Sequence, residues 1–370
     1  EEIDQNTDWA ELQNGPNAES FSDNLFSDTL DIELSNEDKI HGIDSDKTVM
    51  VDAINHALEE ELANNDKMIL FGQDIAGGKG GVFTATRGLT EKFGQDRVFN
   101  SPLAESSIIG TAVGMATLGY KPVVEIQFGD YIWTAMMQLR NELSTLRYRS
   151  NGDWSCPVVV RVPVGGYIHG SLCHSQSIDG YFTHMPGVYI AYPSNAADAK
   201  ALLKTACRMN DPVLFMEHKG LYRQNYASAN EPSDETFLEF GRGRYVMNGS
   251  DVTIVTWGAI VQKTVEAVRE LGVSADIIDL RTLFPLDMDI IKSSLNRTNR
   301  IIIAHEDNLT NGFGGEISAQ ITEHCFELLD APVLRVASED LPIAYSSVLE
   351  EQILVQTDWI KDAINKTINY

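Results

Sequence analysis

The chain has 370 residues, 43% hydrophobic and 22% charged, with a formal net charge of −26. That length accommodates two domains of ordinary size, and the composition is that of a globular protein. No basic stripe offsets the acidity, which excludes nucleic-acid binding, and no apolar run of about 18 residues predicts a membrane span.

Half of the acidity lies at the start, where residues 1–46 hold fourteen Asp and Glu against one Lys. This stretch reads as an acidic leader or linker, solvated and partly disordered. The other reading is a connector that wraps a partner subunit or joins a preceding domain. EEIDQNTDWAEL has neither the basic nor the apolar region of a signal peptide and starts without Met. A processed protein, a trimmed form or part of a longer polypeptide is expected. Cys156, Cys173, Cys207 and Cys325 are widely spaced with no CxxC pair. That spacing argues against a zinc site or a disulfide framework and for a reducing compartment.

In chain order, Thr48 to Asn64 is amphipathic and predicts a helix, with Val51, Ile54, Leu58 and Leu62 on one stripe. KMILF at 67–71 is a short buried strand, with Gln73 and Asp74 just past its end. Sites in open α/β sheets gather at such strand ends. The glycines of AGGKGGVF suggest a mobile loop, since their spacing fits neither a P-loop nor GxGxxG. Arg97 to Asn100 is a strand leading into a run that is small and apolar apart from Glu105. The helical period fits from about Leu103, with Gly110, Gly114 and Gly119 inside it. Glycines cost helix propensity, and close packing against another backbone is a reason to keep them. Glu105 is either a first-turn acid favoured by the helix dipole or a carboxyl held by a specific partner.

PVVEIQF at 122–128 is a strand, and Tyr131 to Tyr148 predicts a helix. Pro157 to Pro163 is a strand, and GSLCHSQSIDG at 170–180 is a polar loop. A strand at 188–192, a helix at 195–208 and a strand at 213–216 complete an alternating series over 47–225. Residues 226–240 are polar and read as a linker. A second series of strands and helices fills 241–370. Such alternation predicts an α/β protein of two doubly wound domains.

Several motifs stand in one order from about Thr48 to the C-terminus. They are LFGQDIAGGKGGVF, RVFNSPL, PLAESSIIGTAVGMATLGYKPVVEIQFGDYI, YRSNG, HGSLCHSQS and HEDNLTNGFGGEIS. Together they resemble the β subunit of the thiamine-diphosphate-dependent decarboxylating component of 2-oxo acid dehydrogenase complexes. RVFNSPL, EIQFGDYI, YRS and HGSLCHSQS are most similar to the branched-chain type; pyruvate and acetoin relatives stay open. The resemblance implies a pyrimidine-binding, transketolase-like domain followed by a transketolase C-terminal-like domain. It implies oxidative decarboxylation of a 2-oxo acid and acyl transfer to lipoyl-lysine. The rival readings are a non-catalytic interaction module that kept the fold and a transketolase-type enzyme.

The resemblance also assigns roles. Glu105 matches the acid that hydrogen-bonds the cofactor's aminopyrimidine and promotes its tautomer shift, strengthened where apolar neighbours exclude water. Tyr131 matches the aromatic packed on that ring, and Leu103 and Gln127 match flanking contacts. Gln73 stands where some relatives have Glu, which leaves it hydrogen bonding but no proton relay. His174 matches a histidine at the mouth of the site that assists acyl transfer. His169 reads as structural, or as ordering the loop. A structural potassium ion is implied between a strand and a helix end, at Val158, Ala206 and Asp211, with Met209 where Asp is commoner. No GDG motif occurs, so Mg²⁺ and the diphosphate fall mainly to a partner chain. The implied assembly is an α2β2 heterotetramer with a β–β contact, an α subunit or α half, and a lipoyl-bearing acyltransferase docking through the second domain. The implied compartment is the bacterial cytoplasm or the mitochondrial matrix.

Overall fold

The strands are almost wholly apolar, and such strands must be covered on both faces, which a parallel sheet flanked by helices achieves. The computed structural model describes residues 1–42 and 44–370. The larger sheet has seven strands, in the spatial order Thr282–Phe284, Tyr189–Ala191, Val213–His218, Val159–Val164, Lys121–Glu125, Met68–Gly72 and Val98–Asn100. All are parallel except Thr282–Phe284, which pairs antiparallel with Tyr189–Ala191. A five-stranded sheet follows, ordered Leu334–Ser338, Ile301–Asn308, Val252–Thr256, Ala275–Asp279, Arg244–Met247. Its last strand alone is antiparallel.

The two domains are less separate than the alternation suggests. The edge strand Thr282–Phe284 comes from the second series yet completes the first sheet. Leu283 on it is buried in one apolar cluster that joins Val124, Ile126 and Ile178 to Trp257, Ile278 and Leu295. Burial of that strand's side chains, which no local period records, decides which sheet it joins.

Three segments differ from expectation. The predicted helix from Tyr131 to Tyr148 is three pieces: a 3-10 stretch Gly129–Ala135, a π-helical stretch Gln138–Leu143 and a short α-helix Leu146–Arg149. Gly129 lets the chain enter this turn close to the sheet, since a Cβ there would lie 3.0 Å from Val164 Cγ1. The leader is solvated only at its start, where the Glu2–Glu11 helix buries nothing. Residues 26–41 are strapped down instead. The Phe26 ring packs on Tyr189 and Phe284, Ile40 is fully buried, and Glu37 reaches Arg281 at 2.8 Å. The polar linker is likewise ordered, because Ala229–Asn230 pairs antiparallel with Lys47–Thr48. Among the described residues, no helix is long and apolar enough to cross a membrane.

Candidate active site

Neighbouring parallel strands place Gln73 after Gly72 and Gln127 after Glu125 at one carboxyl edge of the larger sheet. Gly72 permits this closeness: a Cβ there would lie 2.6 Å from the Glu125 carbonyl oxygen. The Val98–Asn100 strand turns beside them into the helix Glu105–Thr117. Ala104 caps that helix without a side-chain bond, so Glu105 stands first in the turn, where the dipole favours its charge.

The Glu105 carboxylate is gripped from two sides. Gln73 Nε2 donates to Oε1 at 3.1 Å, and Thr134 Oγ1 donates to Oε2 at 2.9 Å. Each oxygen keeps a further lone pair. The water exclusion expected here is only half built, since Glu105 is half-buried. Ile108, Ile109, Ala112 and Ala116 bury one face of its helix, while Ser107, Gly110, Thr111 and Gly114 lie exposed on the other. A Cβ at Gly114 would meet nothing within 4 Å, so no backbone of this chain accounts for that glycine. Gln127 Nε2 donates to the Gln73 carbonyl at 3.3 Å and to Asp74 Oδ2 at 3.4 Å. The buried Oε1 of Gln73 has no partner among the described residues.

On the other side of Thr134, the Tyr131 hydroxyl lies 2.7 Å from His174 Nε2. His174 Nδ1 lies 3.2 Å from the Gly170 carbonyl, to which it can only donate. Neutral His174 therefore carries its proton on Nδ1, and the tyrosine hydroxyl donates to Nε2. The Phe128 ring packs edge-on against both, 4.5 Å from His174 and 5.4 Å from Tyr131. Thr134 Oγ1 is also 3.3 Å from the Tyr131 carbonyl, so one turn of 3-10 helix joins the Glu105 side to the His174 side. Burial raises the Tyr131 hydroxyl pKa above its usual value, and neighbouring Cys173 and Asp130 push the same way.

The His174 loop is held by the second domain. Tyr167, His169 and Ser171 all have positive φ, at 59°, 56° and 65°, a costly set for residues other than glycine. The surroundings over-determine it. Glu306 Oε1 accepts from the Gly166 N–H at 2.6 Å and from Ser177 Oγ at 3.4 Å. His169 Nδ1 meets Glu350 at 2.7 Å, and the Tyr167 hydroxyl donates to the Val355 carbonyl at 2.8 Å. His218 receives the Gly220 N–H on Nδ1 and so donates from Nε2 to Glu306 Oε2 at 2.6 Å. Burial pushes the Glu306 carboxyl up, but His218 and the Gly166 N–H outweigh it and leave the pKa below the usual value. The loop-ordering role read for His169 fits this geometry.

Sequence reading missed Thr134, Glu306 as an anchor, and Lys219. Lys219 is buried over the Phe128 ring, with Nζ 5.6 Å from its centroid, and Nζ has no hydrogen-bond partner among the described residues. Burial pulls its pKa down to about 7, against the pull of Asp130 and Glu306. The signal was faint: a lysine closing a strand otherwise free of Lys and Arg, VLFMEHK.

Leu103 is 81% exposed. At the expected potassium positions Val158, Ala206 and Asp211, some oxygens already accept hydrogen bonds. The Val158 carbonyl accepts from the Val213 N–H at 2.9 Å. Asp211 gives Oδ1 to Arg147 Nε and Oδ2 to the Ser27 N–H, both at 2.9 Å. Among the described residues no group of three His, Cys, Asp or Glu could hold a metal ion.

The fold is of the transketolase type. Residues 46–225 match the transketolase pyrimidine-binding domain, and residues 241–360 the transketolase C-terminal domain. A solved chain described as a split-gene transketolase, an inactive β4 tetramer, superposes with a TM-score of 0.69 at 23% identity. It covers 87% of this chain and 98% of its own, and supports the fold alone. The sequence is 42% identical over 324 residues to the 2-oxoisovalerate dehydrogenase subunit beta of Bacillus subtilis, covering 86% of this chain and 98% of that one. It is 42% identical to the mitochondrial subunit beta 2 of Arabidopsis thaliana, covering 86% and 88%. Against the pyruvate dehydrogenase E1 component subunit beta of B. subtilis it is 41% identical, covering 80% and 91%. The chain belongs to the family of thiamine-diphosphate-dependent 2-oxo acid dehydrogenase β subunits.

Proposed function

We propose that this chain is the β component of a branched-chain 2-oxo acid dehydrogenase. With an α subunit it carries out oxidative decarboxylation of a 2-oxo acid and passes the acyl group to lipoyl-lysine. The observation that carries the reading is the Glu105 carboxylate clamped between Gln73 and Thr134 beside the Tyr131–His174 pair. The relatives named for 2-oxoisovalerate favour a branched-chain substrate.

The residues suit an aminopyrimidine. A half-buried carboxylate with spare lone pairs, an aromatic ring and the orphaned Gln73 Oε1 stand together. Thiamine diphosphate, when bound, supplies the carbanion chemistry. Glu105 would hold the ring nitrogen and stabilise the tautomer that permits it, while Gln73 and Thr134 keep the carboxylate aimed. Tyr131 would pack on the ring, Leu103 and Gln127 would flank it, and Gln127 would also fix Gln73. His174, with Nε2 able to take or give a proton, would assist transfer of the acyl group. Mg²⁺ and the diphosphate would rest mainly on the α subunit, because this chain has no GDG motif. The exposed stripe Ser107, Gly110, Thr111, Gly114 offers a close-packing face for that partner. A β–β contact in an α2β2 assembly, and an acyltransferase docked on the second domain, complete the proposal.

Glu105→Gln in the assembled enzyme should keep the fold and lower decarboxylation, assayed with an artificial electron acceptor, by about 10²–10³-fold. Near-normal turnover would remove Glu105 from this role. A preference for pyruvate over 3-methyl-2-oxobutanoate in the wild-type assay would overturn the substrate class.

A further inference from the structure

Lys219 follows the Val213–His218 strand, at the same carboxyl edge of the larger sheet that carries Gln73 and Gln127. It is 4% exposed, and among the described residues its Nζ donates to no acceptor. Asp130 and Glu306 are the groups whose attraction opposes loss of its proton to burial. Asp130 lies on the 3-10 stretch Gly129–Ala135. Burial raises its carboxyl above the usual value, and Lys219 is the strongest influence pulling it back. The buried Oδ1 of Asp130 likewise has no hydrogen-bond partner among the described residues. Opposite charges taken out of water with no hydrogen bond between them are a poor source of stability. A role at the adjacent site accounts for them better.

Both residues reach the loop of His174. Asp130 Oδ2 accepts from the Gln176 N–H at a long 3.4 Å, and the Gln176 carbonyl accepts from the Gly165 N–H at 3.1 Å. Gln176 lies two residues past His174, so the carboxylate holds the loop from the first-domain side. The Lys219 ammonium sits over the Phe128 ring, 5.6 Å from its centroid. The same ring packs against His174 at 4.5 Å.

We propose that Lys219 is a positioning residue for acyl transfer, acting on His174 through Asp130 and Phe128. Its charge keeps Asp130 an ionised acceptor for the Gln176 N–H, and its contact with Phe128 steadies the ring packed against the imidazole. Glu306 holds the loop at Gly166 and Ser177, whereas Asp130 holds it at Gln176. The role rests on the transfer step proposed for His174; the loop contact does not.

Hydrogen exchange on the full chain tests the contact, and the assembled enzyme tests the role, both at mildly acid pH, where Lys219 carries its proton. Lys219→Met keeps the stem and strips Asp130 of its counter-charge. Exchange at residues 170–177 should rise by about 3–10-fold, the order expected from one weakened hydrogen bond, while the five-stranded sheet exchanges as in the wild type. Asp130→Asn should give the same local rise. Losing one buried partner costs more than losing both, so the double variant should loosen the loop less than either single one. In the assembled enzyme each single variant should lower transfer to a lipoyl domain more than decarboxylation with an artificial acceptor. Unchanged exchange at 170–177, a rise spread over the whole chain, or additive effects in the double variant would overturn the contact. A loosened loop with equal losses in both assays would overturn the positioning role. Should Lys219→Met fail to fold, Asp130→Asn decides by the same local rise and the same split. The exchange result needs no turnover, so failure of the contact and failure of the catalytic reading show separately.

Discussion

Glu306 is the point at which the second domain acts on the first, and Glu306→Gln probes it with almost no change of shape. The carboxylate is 5% exposed and accepts from Gly166 N–H and from His218 Nε2–H, both at 2.6 Å. The Ser177 contact at 3.4 Å is weak. A glutamine offers one acceptor oxygen and an NH2 group. One of the two buried donors must then face another donor, which costs about 1–3 kcal/mol, and the other bond loses its charge assistance. Together the loss is about 2–4 kcal/mol. Because the folded pKa of Glu306 is lowered, its contribution is present above the unfolded carboxyl range and lost as pH falls through the folded value. The variant should therefore lose less stability than the wild type on acidification. Urea denaturation at neutral and acid pH measures both effects. Hydrogen exchange at residues 165–177 reads the loop directly, and should speed up there first. In the assembled enzyme, acyl transfer should fall more than decarboxylation. A Glu306→Gln chain with wild-type stability and a wild-type exchange rate in this loop would refute the clamp.

His174→Ala should reduce transfer to a lipoyl domain more than decarboxylation measured with an artificial acceptor; equal losses would deny the division of labour. His305 lies fully buried with both ring nitrogens unpartnered among the described residues, stacked on Trp257 at 5.1 Å, and burial lowers its pKa to about 3. The unfolded chain takes up that proton near the ordinary value of 6.5, so this residue's share of stability is full above that pH and lost as pH falls toward 3. His305→Phe should flatten the dependence of the urea midpoint on pH between neutral and mildly acid conditions, and an unchanged slope would show that other groups control the acid limb.

The second domain thus acts on the first. Glu306 and Glu350 hold the backbone of the loop that carries His174, and Val355 holds the Tyr167 side chain, while His174 itself bonds to the first-domain groups Tyr131 and Gly170. Positive-φ residues at 167, 169 and 171 persist because bonds from another domain fix their neighbours. A site completed across domains in this way ties loop order to the stability of the interdomain contact.

From its sequence alone, the chain could be read as two alternating α/β series, with the strand ends that carry Gln73 and Gln127 and the helix that starts at Glu105. Those features depend on periods of two to four residues and on motifs within a single segment, and local patterns carry them. The tertiary structure decided what those patterns cannot hold. It paired Tyr131 with His174, put Thr134 opposite Gln73 on Glu105, drew Thr282–Phe284 into the first sheet, and strapped residues 26–41 across both domains. It also joined Lys121 to the Met209 carbonyl, a contact between residues 88 positions apart. Contacts at such separations follow from which apolar faces bury each other and which buried polar atoms then need partners, and that is a property of the packed chain as a whole.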